Sequence, residues 1–151
     1  MSSAFVQLVD VIAAAHAADT AFAGCTITSR LQALPPAGAL RILDVRQVET
    51  RGTSRFSGHP MDWETTIAIT AKARAAGGDT PDDVLDAMLL ASASVLSMLD
   101  VDGLAVMSWD ADSRVRWGVQ QDKPDQPPYA YAQRVLRISH RTDATTLAPQ
   151  N

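Results

Sequence analysis

The chain has 151 residues, of which 46% are apolar and 20% charged, enough apolar surface for one packed core and too short for two. Thirteen Lys and Arg against seventeen Asp and Glu leave a formal charge of -4, with no polybasic run, which argues against tight nucleic-acid binding driven by net charge. The lone Cys25 has no partner for an internal disulfide, and the chain is expected to fold in a reducing cytosol. No stretch approaches the ~18 uninterrupted apolar residues of a membrane span. Residues 1–23 are rich in Ala but lack the basic start of a signal peptide, so they are expected to belong to the fold.

Ser2 or Ser3 can cap a helix over about 3–18, in which Phe5, Leu8, Val9 and Ile12 recur at helical spacing while Gln7 and Asp10 lie off the stripe. A one-sided stripe predicts docking on a sheet. Residues 26–33 are mixed and admit a short strand, and Pro35, Pro36 and Gly38 mark a turn. A strand is predicted from Arg41 to Glu49, with Leu43 and Val45 on one face and Asp44 and Arg46 on the other. The cleanest alternation runs from Asp62 to Arg74: Trp63, Thr65, Ile67, Ile69, Ala71 and Ala73 share one face.

Thr80 followed by Pro81, Asp82 and Asp83 combines a cap, a residue suited to the first helical position and acids at the positive end of the dipole. A helix over 81–99 follows, expected to pack its Leu85, Met88, Leu89 and Leu96 on the face carrying Trp63 to Ile69. Residues 104–109 read as a short strand or lead-in, 114–120 as a strand, DKPDQPP as a turn and 129–141 as a long last strand. The order predicts a single α+β domain over 1–142, an antiparallel sheet of four or five strands with two main helices on one face, and a loose tail over 143–151.

Catalytic and cofactor chemistry finds little support in the residues. Cys25, His16, His59 and His140 have no spacing that selects a nucleophile and its base, and no CxxC, HxxxH or HExxH offers a metal site. The acid pairs Asp100/Asp102 and Asp110/Asp112 lack the ligand spacing of a calcium loop and read as solvated turns. No glycine-rich phosphate loop is present, so neither a cofactor nor a metal is expected. Trp109, Trp117, Tyr129 and Tyr131, interleaved with Arg114, Arg116, Arg134 and Arg137, allow an RNA-stacking platform. In an acidic chain the same alternation more simply predicts a core face and a solvated face.

Four segments, taken together, resemble phage tail terminators, the minor tail protein U-like family of long-tailed phages and prophages. They are LPPAGALRILDVR at 34–46, MDWETTIAITAKARA at 61–75, GGDTPDDVLDAMLLASASVLS at 77–97 and RVLRISHRT at 134–142. The resemblance implies a structural protein and no enzyme: a homo-oligomer, in the family a hexameric ring, that caps the tail tube, stops its polymerisation and presents a surface for head joining. Implied partners are the major tail tube protein and a head-completion protein, with DNA passing through the lumen without specific binding and no membrane. The place of action would be the virion tail, assembled in the cytoplasm of the bacterial host. A related head-tail joining or tail-completion protein is the alternative, and a small prophage-encoded enzyme or RNA-binding module a more distant one.

The segment between the two central strands, RGTSRFSGHPMD, exceeds the ~2 to 5 residues of a tight hairpin loop. Its Arg51, Arg55, Phe56 and His59 among small residues have the composition of a docking segment, and they are the expected assembly interface.

Overall fold

The computed structural model of the chain describes residues 2–29, 38–52, 61–74, 80–112, 114–121, 124–143 and 145–150. In chain order the elements are α1 (Ala4–Ala18), a single 3-10 turn (Thr20–Phe22), β1 (Thr26–Ser29), β2 (Arg41–Gly52), β3 (Met61–Ala73), α2 (Pro81–Ser97), β4 (Val106–Ala111), β5 (Arg116–Gln120) and β6 (Tyr129–Thr142). This is an α+β fold with both helices on one face of a mostly antiparallel sheet.

The centre of the sheet is the pairing of β3 with β6, which runs without a shift from Met61 opposite Thr142 to Ala73 opposite Ala130. β2 lies on the other side of β3, antiparallel, and a bulge between Gln47 and Glu49 carries the pairing on to Gly52 opposite Trp63. Two features differ from the sequence-based expectation of four or five antiparallel strands. β1 pairs with β2 in parallel, Thr26 opposite Ile42 to Ser29 opposite Val45. The described part of the 26–33 expected is strand over Thr26–Ser29, and residues 30–33 lie outside the described residues. On the far side of β6, β4 and β5 run in the same direction along one strand partner, β4 against Leu136 to His140 and β5 against Tyr129 to Gln133. They are two halves of a single edge position, so six strands fill five places in the order β1-β2-β3-β6-β4.

Alternation decides which side chains meet the helices. Leu43 and Val45 of β2, Ile67, Ile69, Ala71 and Ala73 of β3, and Ala132, Leu136 and Ile138 of β6 form the buried floor. Leu8, Val9 and Ile12 of α1 and Leu85, Met88, Val95 and Leu96 of α2 pack on it. Leu89, expected among the buried set, is only partly buried at the rim of the cluster. α2 starts as its sequence requires: Thr80 Oγ1 accepts the amide of Asp83 at 3.3 Å and donates to its carboxylate at 2.8 Å, ahead of Pro81. At α1 the expected Ser3 stands at the cap position without a side-chain bond, and the free amide of Ala4 is taken by the carbonyl of Leu147 at 2.9 Å.

That bond bears on the C-terminal segment, expected to be loose from its Thr and Pro content. Asp143 accepts the amides of Thr145 and Thr146 at 2.9 and 2.8 Å, Leu147 takes a left-handed φ of 55°, and Pro149 bridges back to Thr142. The described residues of the tail are thus folded against β6 and the start of α1, because an aspartate placed directly after a strand closes a local turn that composition alone does not reveal.

Inside the helical layer His16 joins the two helices. The carbonyl of Ile12 lies 2.8 Å from Nδ1, which must therefore donate, leaving Nε2 to accept from the Ser92 hydroxyl at 2.8 Å. Burial holds the pKa of this imidazole below its ordinary value, as a neutral tautomer requires.

Leu85 is fully buried between α2 and the sheet, so Leu85→Ala is expected to cost about 2 to 5 kcal/mol. Denaturant unfolding checks this: a midpoint unchanged from the parent would mean that α2 does not seat on the sheet through this residue.

Candidate functional site

Of the four residues expected at the assembly interface, only Arg51 falls among the described residues. It lies within β2 opposite Glu64, not in a loop, because the bulge at Val48 lets β2 run three residues past the expected end at Glu49. Its guanidinium pairs with Glu49 at 2.8 Å on the surface. Arg55, Phe56 and His59 lie outside the described residues.

The β2–β3 pair is held here by a polar and aromatic knot whose Thr65, His140 and Thr142 are buried. Trp63 meets Phe5 of α1 edge to face, with centroids 5.1 Å apart, and its indole N–H donates to Thr142 Oγ1 at 2.8 Å. Gly52, opposite Trp63, leaves room for the ring: a Cβ there would stand 3.0 Å from it. Beneath, His140 Nε2 is hydrogen-bonded to Thr65 Oγ1 at 2.7 Å, which lies 3.1 Å from Thr50 Oγ1, and Gln47 donates to Thr50 at 2.6 Å. His140 Nδ1 is buried with no partner among the described residues, and burial pushes the pKa down to about 4. The sequence pattern places Trp63 under α2. It packs instead on α1, since the 3.6-residue stripe of α1 extends to Phe5 at its N-terminus.

The second surface is the face of the sheet opposite α1 and α2. Row by row across it stand Asp44, Thr70, Gln133 and Arg116, then Lys72, Tyr131 and Gly118. All of these but the glycine line a shallow groove of about 440 Å³. Asp44 is nearly buried and already engaged: Thr28 donates to it at 2.7 Å and Arg46 pairs with it at 3.2 Å. Farther along the same face, Arg141 is bonded to Asp62 at 2.6 Å and Arg137 lies 3.9 Å from Asp112.

The aromatic and Arg residues considered as a stacking platform are split between surfaces. Tyr131, Arg116 and Arg137 share the open face. Trp109 packs against the core, and Tyr129 is buried with its hydroxyl donating to Ala39 and Arg74 3.8 Å over its ring. Arg134 stands opposite Ile69 on the helix side, and Arg114 opens the turn capped by Asp112. Trp117 is half-exposed on the β5 edge.

Of the groups considered for chemistry, His59 lies outside the described residues. Cys25 packs at the core margin with burial raising its thiol pKa, and Asp100 accepts the amide of Asp102 in a turn. Among the described residues no His, Cys, Asp and Glu cluster is arranged to hold a metal, and no helix is long and apolar enough to cross a membrane. No protein-family model and no curated protein matches the chain.

His140 and His16 make stability depend on pH with a definite sign. Their folded pKa values lie below the unfolded one, so the unfolded chain binds more protons as pH falls below about 6.5, and stability falls with it. For His140 the loss between pH 7 and pH 4.5 is expected to reach about 2 to 3 kcal/mol. The surface carboxylates Asp62 and Asp143, held below the ordinary carboxylate value by their hydrogen bonds, add their losses only below about pH 4. Chemical denaturation at the two pH values checks this: His140→Leu should shrink the difference, His16 retaining the remainder, and an unchanged difference would exclude His140 as its source.

Proposed function

We propose that the chain is a tail terminator of a phage or prophage, a structural protein that assembles as a ring on the finished tail tube, stops its polymerisation and forms the surface for head joining. The sequence resemblance gives the reading its family. The observation that carries it is the β4–β5 edge. Along this interrupted strand Met107, Trp117 and Val119 are 53%, 51% and 70% exposed, side chains that a free-standing protein keeps from such an edge. The opposite side of the sheet is built differently: the short parallel β1 and the outer stretch of β2 from Arg46 to Arg51, which carries the charges of Arg46, Glu49 and Arg51 beside an exposed Val48. A protomer with two unlike sides suits head-to-tail contacts, and such contacts close into a ring when the rotation permits.

On this reading the apolar edge of one protomer is covered by the next. A head-tail joining ring of similar size would use the same edge and differ in the partner met at the ends of the ring.

The double variant Trp117→Glu/Val119→Glu tests the reading in a phage that depends on this gene. Both side chains are already solvent-exposed, so the thermal midpoint of the purified variant should stay within about 0.5 kcal/mol equivalent of the parent. Electron microscopy should then show tails of uncontrolled length without joined heads. Tails of normal length joined to heads would overturn the proposal, and tails of normal length without heads would move the protein to the joining step.

A further inference from the structure

We infer that the groove on the face opposite α1 and α2 is a contact site for the phosphodiester backbone of single-stranded nucleic acid, built around Lys72 and Arg116. The inference goes beyond the ring reading and rests on the face of the single chain, whatever that chain assembles into.

Charge on this face is segregated. Toward the Met61 end of β3 the cations are taken, Arg141 by Asp62 and Arg137 by Asp112. In the groove the one lining carboxylate among the described residues, Asp44, is satisfied by Thr28 and Arg46, while Lys72 and Arg116 have no ion pair or hydrogen bond among those residues. A chain of net charge -4 thus places side by side two cations that have no ion-pair partner among the described residues. An anion bound between them would come from outside the described residues.

Register sets the spacing. Lys72 and Arg116 stand on β3 and β5 with β6 between them, one row apart, which puts their Cα atoms roughly 12 Å from each other. Both side chains line the same groove, so they can grip one phosphate or bracket neighbouring ones. Between them lies Tyr131, whose ring and hydroxyl sit directly over Gly118: a Cβ at that glycine would come within 2.6 Å of the tyrosine oxygen. The glycine lets the aromatic ring settle close to the strand backbone, beside both cations. Cations along a groove with an aromatic surface at its centre are the elements of sequence-tolerant single-strand binding. A free phosphate ion would need no aromatic neighbour and would be better held by an enclosed pocket than by an open groove.

The test is fluorescence anisotropy of a labelled oligothymidylate with the purified full chain at low salt, against Lys72→Met/Arg116→Met. Met keeps much of the apolar stems. Every cation removed leaves one counterion fewer to be released on binding, so the double variant should bind about tenfold or more weakly, with a salt slope lower by about 1.4. Arg51→Ala, which removes a cation outside the groove, should bind as the parent does. The charge-preserving Lys72→Arg should bind as the parent and guards against a folding artefact. Absence of binding by the parent, equal binding by the double variant, or full displacement of the oligonucleotide by inorganic phosphate at matched phosphate concentration would each overturn the assignment. None of these outcomes bears on tail length, so this site and the ring reading fail separately.

Discussion

The unbroken antiparallel pairing of β3 with β6 is the constraint on which the rest of the molecule depends. Because side chains alternate with period two, this register decides for every residue of both strands whether it meets the helices or the open face. Moved by one position, the pairing would set Ile67 and Ile69 against the polar set of β6 and break the His140–Thr65 and Trp63–Thr142 bonds together. The buried polar groups therefore act as a check on register: they are satisfied only when the apolar floor is also in place. Breaking hydrogen bonds inside a core costs more than their formation contributes, and that asymmetry makes the check effective.

Two imidazoles extend the same logic to the helices. His16 ties α1 to α2 through Ser92, and His140 sits under Phe5 at the start of α1, with ring centroids 5.5 Å apart. α1 is consequently held at both ends, by His16 near its C-terminus and by Phe5 and the carbonyl of Leu147 near its N-terminus. Both helices of the resulting layer lie on one face of the sheet. What is left outside that layer, the polar face and the two unlike edges, is the surface available for function.

Much of this is legible in the sequence. The period of Trp63 to Ala73 identifies both β3 and its inward face, and Thr80-Pro81-Asp82-Asp83 locates the start of α2 to the residue, because both signals are local. Partners are not local. Nothing in Thr26–Ser29 says that it pairs in parallel, and nothing in Val106–Ala111 or Arg116–Gln120 says that they share one edge of β6. The groove is hidden for the same reason: Lys72, Arg116 and Tyr131 are brought side by side by register alone. The alternating Arg and aromatic residues near the C-terminus do signal two faces, but which of them share the open one is decided by the sheet. The order of the tail escapes composition because one residue, Asp143, organises a turn among Thr and Pro that otherwise read as loose.

In the proposed ring, the two unlike edges of the sheet meet each other between neighbouring protomers. Light scattering on the purified wild-type chain across a wide range of concentrations, or in the presence of tail tube ends, tests it most directly. A discrete species of six protomers, with no larger open polymer, is the expected result. A monomer that persists at every concentration and on tube ends, or an open-ended filament, would contradict it.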